Sequence, residues 1–287
     1  MIRYRLESGT STESHRSGIV NDPQGPSKLT VTWSAVVRME VLAAGHDAKG
    51  QPDGSLRLRT TYEKSAANTA SDTFDPEADR IEAQYRNLEG QAFEFTLDAP
   101  GHVTNMTGFE GAAGQDSVVA AMRAWVGQLA STAGAPREGV VVGQTWASQQ
   151  AVPASPLAGL IWRSHSEYVR NEPCKPANAP GAADPLVKET CAVLLTKLNL
   201  AGSRGPGYDA TPDSYGKQHM RTSGTWTGTG SSLSYISLGR GHLVSVTQSS
   251  NEQMDFTVRS LVEGRNLHYQ GSVQSRTQLE LVAVDSK

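Results

Sequence analysis

The sequence predicts a mainly β protein made of two similar antiparallel β modules, with one main α-helix between them. The chain is rich in Gly, Ser and Thr, and apolar residues make up 37% of it, a composition typical of strands and turns. Apolar and polar residues alternate over 55–63, as in a strand with one face in water. A segment of the first half also recurs in the second half, and internal recurrence indicates a repeated architecture.

The recurrence relates residues 90–107 to residues 230–247 without a gap. The identical positions are Gly90, Gly101, His102 and Thr107, which correspond to Gly230, Gly241, His242 and Thr247. Each copy is expected to form a hairpin around a turn that contains glycine. Residues 32–41 and 164–173 are also similar and occur in the same order. A duplication explains both blocks, although two unrelated amphipathic hairpins would also look alike.

The first module is expected to begin with an edge strand at 2–7 and a turn-rich loop at 9–27. A long strand at 28–43 follows, since this segment is rich in β-branched residues. The alternating segment 55–63 is the next strand, and the polar segment 65–79 is expected to be a loop.

The two hairpins are each expected to have one apolar face. In the first hairpin, Leu97 would lie opposite His102, and the apolar face would consist of Phe93, Phe95, Leu97 and Met106. The same register in the second hairpin would place four side chains on one face: Leu233, Tyr235, Val244 and Val246. Cross-strand pairs of this kind stabilise a sheet.

The main helix is predicted to start after Asp116 and Ser117, which can cap its N-terminus. Its apolar residues form a single stripe at helical spacing, namely Val118, Met122, Trp125 and Leu129. Pro136 lies just beyond its end. The helix therefore completes a first module of residues 1–135, and the second module spans 136–287.

The second module is expected to contain strands at 160–170 and 191–200, a turn-rich segment at 203–216, and further strands up to the C-terminus. Cys174 and Cys191 flank a Pro-rich segment between the first two strands. A disulfide there would close a loop of about 16 residues and stabilise the fold by roughly 3 kcal/mol. Since disulfides persist in oxidising compartments, we expect an extracytoplasmic protein, with two unpaired thiols in a reducing cytosol as the alternative.

Charge and hydropathy argue against nucleic-acid-binding and membrane-spanning roles. The net charge is −3, and no basic cluster provides the electrostatic attraction that nucleic acids or anionic lipids require. No segment reaches the roughly 18–20 consecutive apolar residues of a transmembrane helix. The N-terminus is charged and alternating, unlike a signal peptide, so any leader is expected to be absent from this sequence.

No catalytic, phosphate-binding or metal-binding motif is present. We therefore expect no metal, no cofactor and no catalysis, with a hydrolase built from dispersed residues as an alternative. His102 and His242 occupy equivalent turn positions, where they either line a common cavity or close the apolar face of each hairpin. The candidate ligand-binding residues are Phe93, Phe95, Leu97, Met106, Trp125, His102 and His242.

The repeated Gly-His hairpins and the segment Val142-Gly143-Gln144-Thr145-Trp146 resemble a group of uncharacterised bacterial envelope proteins. Many of these are lipoproteins built of two similar β modules with curved sheets. More distantly, the order of elements is similar to that of half-barrel carriers of lipids and lipoproteins. The resemblance implies no catalytic residues. This chain has no cysteine near its start that could accept a lipid anchor.

These observations favour a non-enzymatic extracytoplasmic binding or scaffold protein, such as an accessory subunit of a cell-envelope or membrane-associated complex. Its partner would then be an envelope protein. The alternative is a carrier that holds a hydrophobic ligand, a lipid or a lipoprotein, in a concave β face.

Overall fold

The computed structural model describes most of the chain: residues 1–18, 27–46, 49–73, 78–98, 103–108, 122, 125–129, 135–136, 139–152, 155–174, 189–202 and 209–284. These residues confirm a mainly β, antiparallel protein. The strands belong to one sheet of eleven, which has two free edges and is not closed into a barrel.

The strands are β1 Ile2–Gly18, β2 Ser27–His46, β3 Pro52–Ser71, β4 Ala92–Leu97, β5 Val103–Thr107, β6 Thr145–Ala151, β7 Leu160–Pro173, β8 Thr190–Gly202, β9 Met220–Ser237, β10 Leu243–Ser260 and β11 Asn266–Val284. Helix α1, Ala78–Arg86, lies between β3 and β4, and the short helix α2, Asp213–Lys217, precedes β9. Met122 and residues 125–129 are helical within the predicted main helix. Its predicted start at Asp116–Val118 lies outside the described residues.

The strand order is β5-β4-β3-β2-β1-β11-β10-β9-β8-β7-β6. Two meanders therefore meet at the centre, where β1 pairs with β11 and Leu6 lies opposite Leu279. Residues 2–7 therefore lie in a central strand, and the prediction that they form an edge strand is wrong. Residues 9–18 of the loop predicted at 9–27 also belong to β1, so the loop prediction is wrong there. These polar residues are in a strand because both neighbours, β2 and β11, satisfy their backbone hydrogen bonds.

Each half of the chain has the same order of elements. Three strands, a helix and two strands form β1–β5 with α1, and the same series recurs in β6–β10 with α2. The second series is displaced by six strand positions along the one sheet. This shared order fits the predicted duplication, which stays a prediction, as do the module boundaries at 1–135 and 136–287.

The two faces of the sheet differ in chemistry. We call the face that bears Phe93 and Phe95 the A face, and the opposite face the B face. Phe95 lies opposite Leu58, and Leu58 lies opposite Val41, so these side chains share the A face. The pairing of the following strands assigns their residues to the two faces in the same way. The B face bears charged pairs, such as Arg59 with Glu94. Strand alternation separates the two sets of side chains because neighbouring residues point to opposite faces.

The first hairpin confirms the predicted apolar cluster. Phe93 and Phe95 are buried, and Leu97 and Met106 pack partly buried against the same cluster. The register differs from the prediction by one residue, since Leu97 lies opposite Val103. A register shift between Glu94 and Thr96 accompanies this difference.

The face predicted for the second hairpin is wrong. Val246 pairs with Ser234 on the A face, whereas Leu233 and Tyr235 point to the B face. A register shift between Leu243 and Ser245 introduces one extra residue. Because side chains alternate with a period of two, a shift by one residue exchanges the faces.

Cys174 and Cys191 form the predicted disulfide. Cys174 directly follows β7 and Cys191 is the second residue of β8, so the bond joins the ends of two neighbouring strands. Both residues are buried in the largest apolar cluster. Because disulfides persist in oxidising compartments, the bond indicates an extracytoplasmic environment.

Candidate functional site

The A face of the first half is filled by the protein's own aromatic side chains. Trp125 packs edge-on against Phe93, with 6.0 Å between ring centroids, and its Nε1 donates a 3.0 Å hydrogen bond to the hydroxyl of Tyr62. Burial raises the pKa of the Tyr62 hydroxyl well above its usual value. Trp33 and Tyr85 extend the cluster toward α1. These contacts make the region a packed core.

Most of the predicted ligand-binding residues lie in this core. Phe93, Phe95 and Trp125 are each 1% exposed, and the ring of Phe93 contacts the other two rings. His102 lies outside the described residues. His242 lies in the turn before β10, five strands from β4 in the sheet. Its Nε2 is buried and has no hydrogen-bond partner among the described residues, and burial lowers the pKa of the imidazole.

The A face of the second half is different, because hydroxyl side chains cross it from β1 to β6. We call this set the hydroxyl band: Ser8, Thr10, Ser148, Ser164, Ser166, Thr196, Ser232, Ser250, Ser275 and Thr277. Several of the hydroxyls are hydrogen-bonded to each other across neighbouring strands, as Ser166 is to Thr196 at 2.9 Å. The band forms a polar strip between apolar clusters at the two ends of the strands.

Three aromatic rings lie on the A face beside the hydroxyl band. Trp226, Phe256 and Tyr269 come from the neighbouring strands β9, β10 and β11 and form what we call the aromatic stack. The ring centroids are 6.3 Å apart for Trp226 and Phe256, and 5.0 Å apart for Phe256 and Tyr269. The planes are nearly parallel, at 4° and 18°. Phe256 is buried, whereas the two outer rings are partly exposed.

A cleft of about 500 Å³ adjoins the aromatic stack. Its lining includes Leu157, Leu160, Ala210, Gly224 and Trp226. Leu157 and Leu160 belong to a small apolar cluster that also contains Phe256. The volume is in the range of small-molecule binding sites, which are mostly apolar with a few polar groups.

Glu252 lies on the A face between the aromatic stack and the hydroxyl band. Its carboxylate accepts a 2.9 Å hydrogen bond from Nε1 of Trp226 and a 3.1 Å hydrogen bond from the hydroxyl of Ser250. Burial raises the pKa of this carboxyl. Gly228 lies opposite Glu252, and a Cβ there would be 2.8 Å from the Cγ of Glu252. The glycine therefore provides the space that the glutamate side chain occupies.

The local sequence patterns did not predict this arrangement. The signal available in the sequence is the alternation in β9, which puts Trp226, Gly228 and Ser232 on one face. Glycines and serines at apolar positions of a strand indicate a close approach or an unfilled face. The pairing of β9 with β10, which brings Glu252 to that face, is a long-range contact that no local pattern shows.

Two of the scattered histidines, His15 and His268, lie on the B face. His268 Nε2 lies 2.8 Å from Asp255 Oδ1, and His15 lines a cleft of about 480 Å³ with Asp255 and Glu13. No Ser or Cys in the described part of the chain is hydrogen-bonded to His268. Across the described ranges, no three His, Cys, Asp or Glu side chains are placed to hold a metal ion.

The described helices include none that is long and apolar enough to cross a membrane. No protein-family model and no curated protein matches the sequence. Among solved structures, the chain is similar to one that concerns lipid–protein interactions in lipovitellin, with 11% sequence identity and a TM-score of 0.46. The match covers 100% of this chain and 26% of the lipovitellin chain. This chain therefore spans about a quarter of the length of the lipovitellin chain. At this level of similarity, the likeness identifies neither a family nor a ligand.

Proposed function

We propose that this protein is a non-enzymatic, extracytoplasmic binding protein that holds a small amphipathic ligand on the A face of β7–β11. The observation that supports the proposal is the contrast between the two halves of that face. The first half is packed with its own aromatic rings, whereas the second half has partly exposed rings, hydroxyl groups and a cleft of about 500 Å³.

The ligand is amphipathic because the surface has two characters. Leu160, Trp226 and the neighbouring apolar side chains suit a hydrocarbon or aromatic part. The hydroxyl band and Glu252 suit a polar part, since hydroxyl groups donate and accept hydrogen bonds, and a carboxylate accepts them, in directions that fix a ligand's orientation.

Fluorescence titration with N-phenyl-1-naphthylamine, an uncharged apolar probe, tests the proposal. We expect saturable binding at one equivalent, and about tenfold weaker binding by Trp226→Ala, because removing one aromatic contact costs about 1.4 kcal/mol. Tyr235→Ala is the matched control, since Tyr235 is on the same strand but points to the B face. Absence of saturable binding, or equal weakening by both variants, would contradict the proposal.

A scaffold role in an envelope complex is a second candidate, supported by one end of the sheet. Apart from Leu261 and Val262, the large apolar side chains that are exposed in the described residues lie at this end: Met1, Val41, Leu42, Val141, Val142, Leu238, Val282 and Val284. The register brings Met1, Val41, Val282 and their neighbours together where β2 and β11 end and β1 begins. At the same end of the sheet, Leu238 follows β9 and the pair Val141 and Val142 precedes β6. Exposed apolar surface of this kind is typical of protein contacts.

The double variant Val41→Ser, Val282→Ser tests this candidate. The experiment cross-links the unaltered protein to a partner protein in envelope extracts. We expect the double variant to lose this partner. The control double variant Leu261→Ser, Val262→Ser, which changes the opposite end of the sheet, is expected to keep it. Equal recovery of that partner by the two double variants would argue against a scaffold role for this end of the sheet.

A further inference from the structure

Glu252 is the single charged residue on the A face of β6–β11 in the part of the chain that the structure describes. The cross-strand register places the other charged residues of these strands on the B face, including Arg163, Lys197 and Asp255. The A face of these strands is otherwise built from apolar, hydroxyl and amide side chains, the amides including Gln150 and Gln248, and it contains one carboxyl.

The hydrogen-bond partners of Glu252 are uncharged. Trp226 donates through its indole N–H and Ser250 through its hydroxyl, and no described Lys, Arg or His forms an ion pair with Glu252. By contrast, Glu94 on the B face is paired with both Arg57 and Arg59. A half-buried carboxylate without a cation is unfavourable, so a cationic ligand group bound there would gain an interaction that the described residues do not supply.

The surroundings of Glu252 suit an organic cation. Trp226 is in direct contact with the carboxylate, and indole and phenol rings attract ammonium groups placed over their faces within about 6 Å. Ser250 is also hydrogen-bonded to Ser275 at 2.8 Å, so hydroxyl oxygens that can accept hydrogen bonds from an N–H group flank the carboxylate. An anionic ligand group would be repelled here.

We propose that Glu252 binds the ammonium group of an amphipathic organic amine, whose apolar part lies along Trp226 toward Leu160 and Leu200. This inference rests on the proposed function and specifies the chemical class of the ligand. Gly228 belongs to the site because its missing Cβ leaves room for the Glu252 side chain.

A series of eight-carbon ligands tests the inference by isothermal titration calorimetry at pH 7.5 with octylammonium, 1-octanol and octanoate. We expect octylammonium to bind at least tenfold more tightly than octanol, and octanoate to bind more weakly than either. In Glu252→Gln, the preference for octylammonium over octanol is expected to disappear. Asp255→Asn, which changes a B-face carboxylate on the same strand, is expected to keep the full preference.

The outcomes separate the two proposals. If none of the three ligands binds, the proposed function fails. If octanol and octylammonium bind equally, or if Glu252→Gln keeps the preference, the proposed function stands and the amine inference is overturned. If Glu252→Gln does not fold, as judged by circular dichroism, Glu252→Asp replaces it and is expected to weaken octylammonium binding severalfold; an unchanged affinity would overturn the inference.

Discussion

The two halves of the A face show how one order of strands produces either an aromatic core or a face of hydroxyl groups beside a cleft. In β4, Phe93 and Phe95 point to the A face, where their rings stack on each other and the helical residue Trp125 packs edge-on against Phe93. The aligned residues of the second hairpin, Leu233 and Tyr235, point to the B face, so Ser232 and Ser234 take the A-face positions. A register difference of one residue therefore replaces an aromatic core with hydroxyl groups.

The largest expected effect is on stability, and it separates the two halves. We expect Phe93→Ala to lower the free energy of unfolding by about 3–5 kcal/mol, because it leaves a cavity in a fully buried cluster. Ser234→Ala is expected to change it by less than about 0.5 kcal/mol or to increase it, since the buried Ser234 hydroxyl has no hydrogen-bond partner in the described part of the chain. Urea unfolding measures both, and a similar loss in the two variants would show that both faces are packed cores.

A smaller effect concerns how two carboxyl groups respond to pH. Burial raises the pKa of Glu252, so its protonated form favours folding, and the stability it contributes is lost as pH rises through the folded-state pKa. Glu252→Gln is therefore expected to raise Tm at pH 7 by much less than Phe93→Ala lowers it. This gain should vanish below about pH 4, where the carboxyl is protonated in both states. Thermal unfolding scans at steps of about one pH unit between about pH 3 and pH 8 measure the effect.

Glu94→Gln is the control for that measurement, with the opposite sign. Hydrogen bonds from Arg59 and Arg57 lower the pKa of Glu94, so its stabilisation is present above the unfolded-state pKa and is lost as pH falls through the folded-state pKa. Glu94→Gln is expected to lower Tm at pH 7 and to match the parent in acid. Parallel pH profiles for the two variants would contradict the difference in environment between the two faces.

Local sequence patterns predicted much of this protein. Alternation at 55–63 predicted a strand with one wet face, and the spacing of Cys174 and Cys191 around a Pro-rich segment predicted their disulfide. The apolar cluster of Phe93, Phe95, Leu97 and Met106 was also predicted, because neighbours within one hairpin are set by short-range alternation. Helix α1 was not predicted, since its segment is rich in charged residues and its few apolar side chains meet β3 only in the folded chain.

The sequence by itself determined the antiparallel β class, the disulfide and the hairpins, since each depends on residues close together in the chain. Tertiary structure alone decided that β1 lies at the centre of one sheet, and that Glu252 meets Trp226 and Gly228 on the A face. The reason is physical: alternation defines which residues share a face, but the pairing of distant strands and a one-residue register shift between Leu243 and Ser245 decide which face that is.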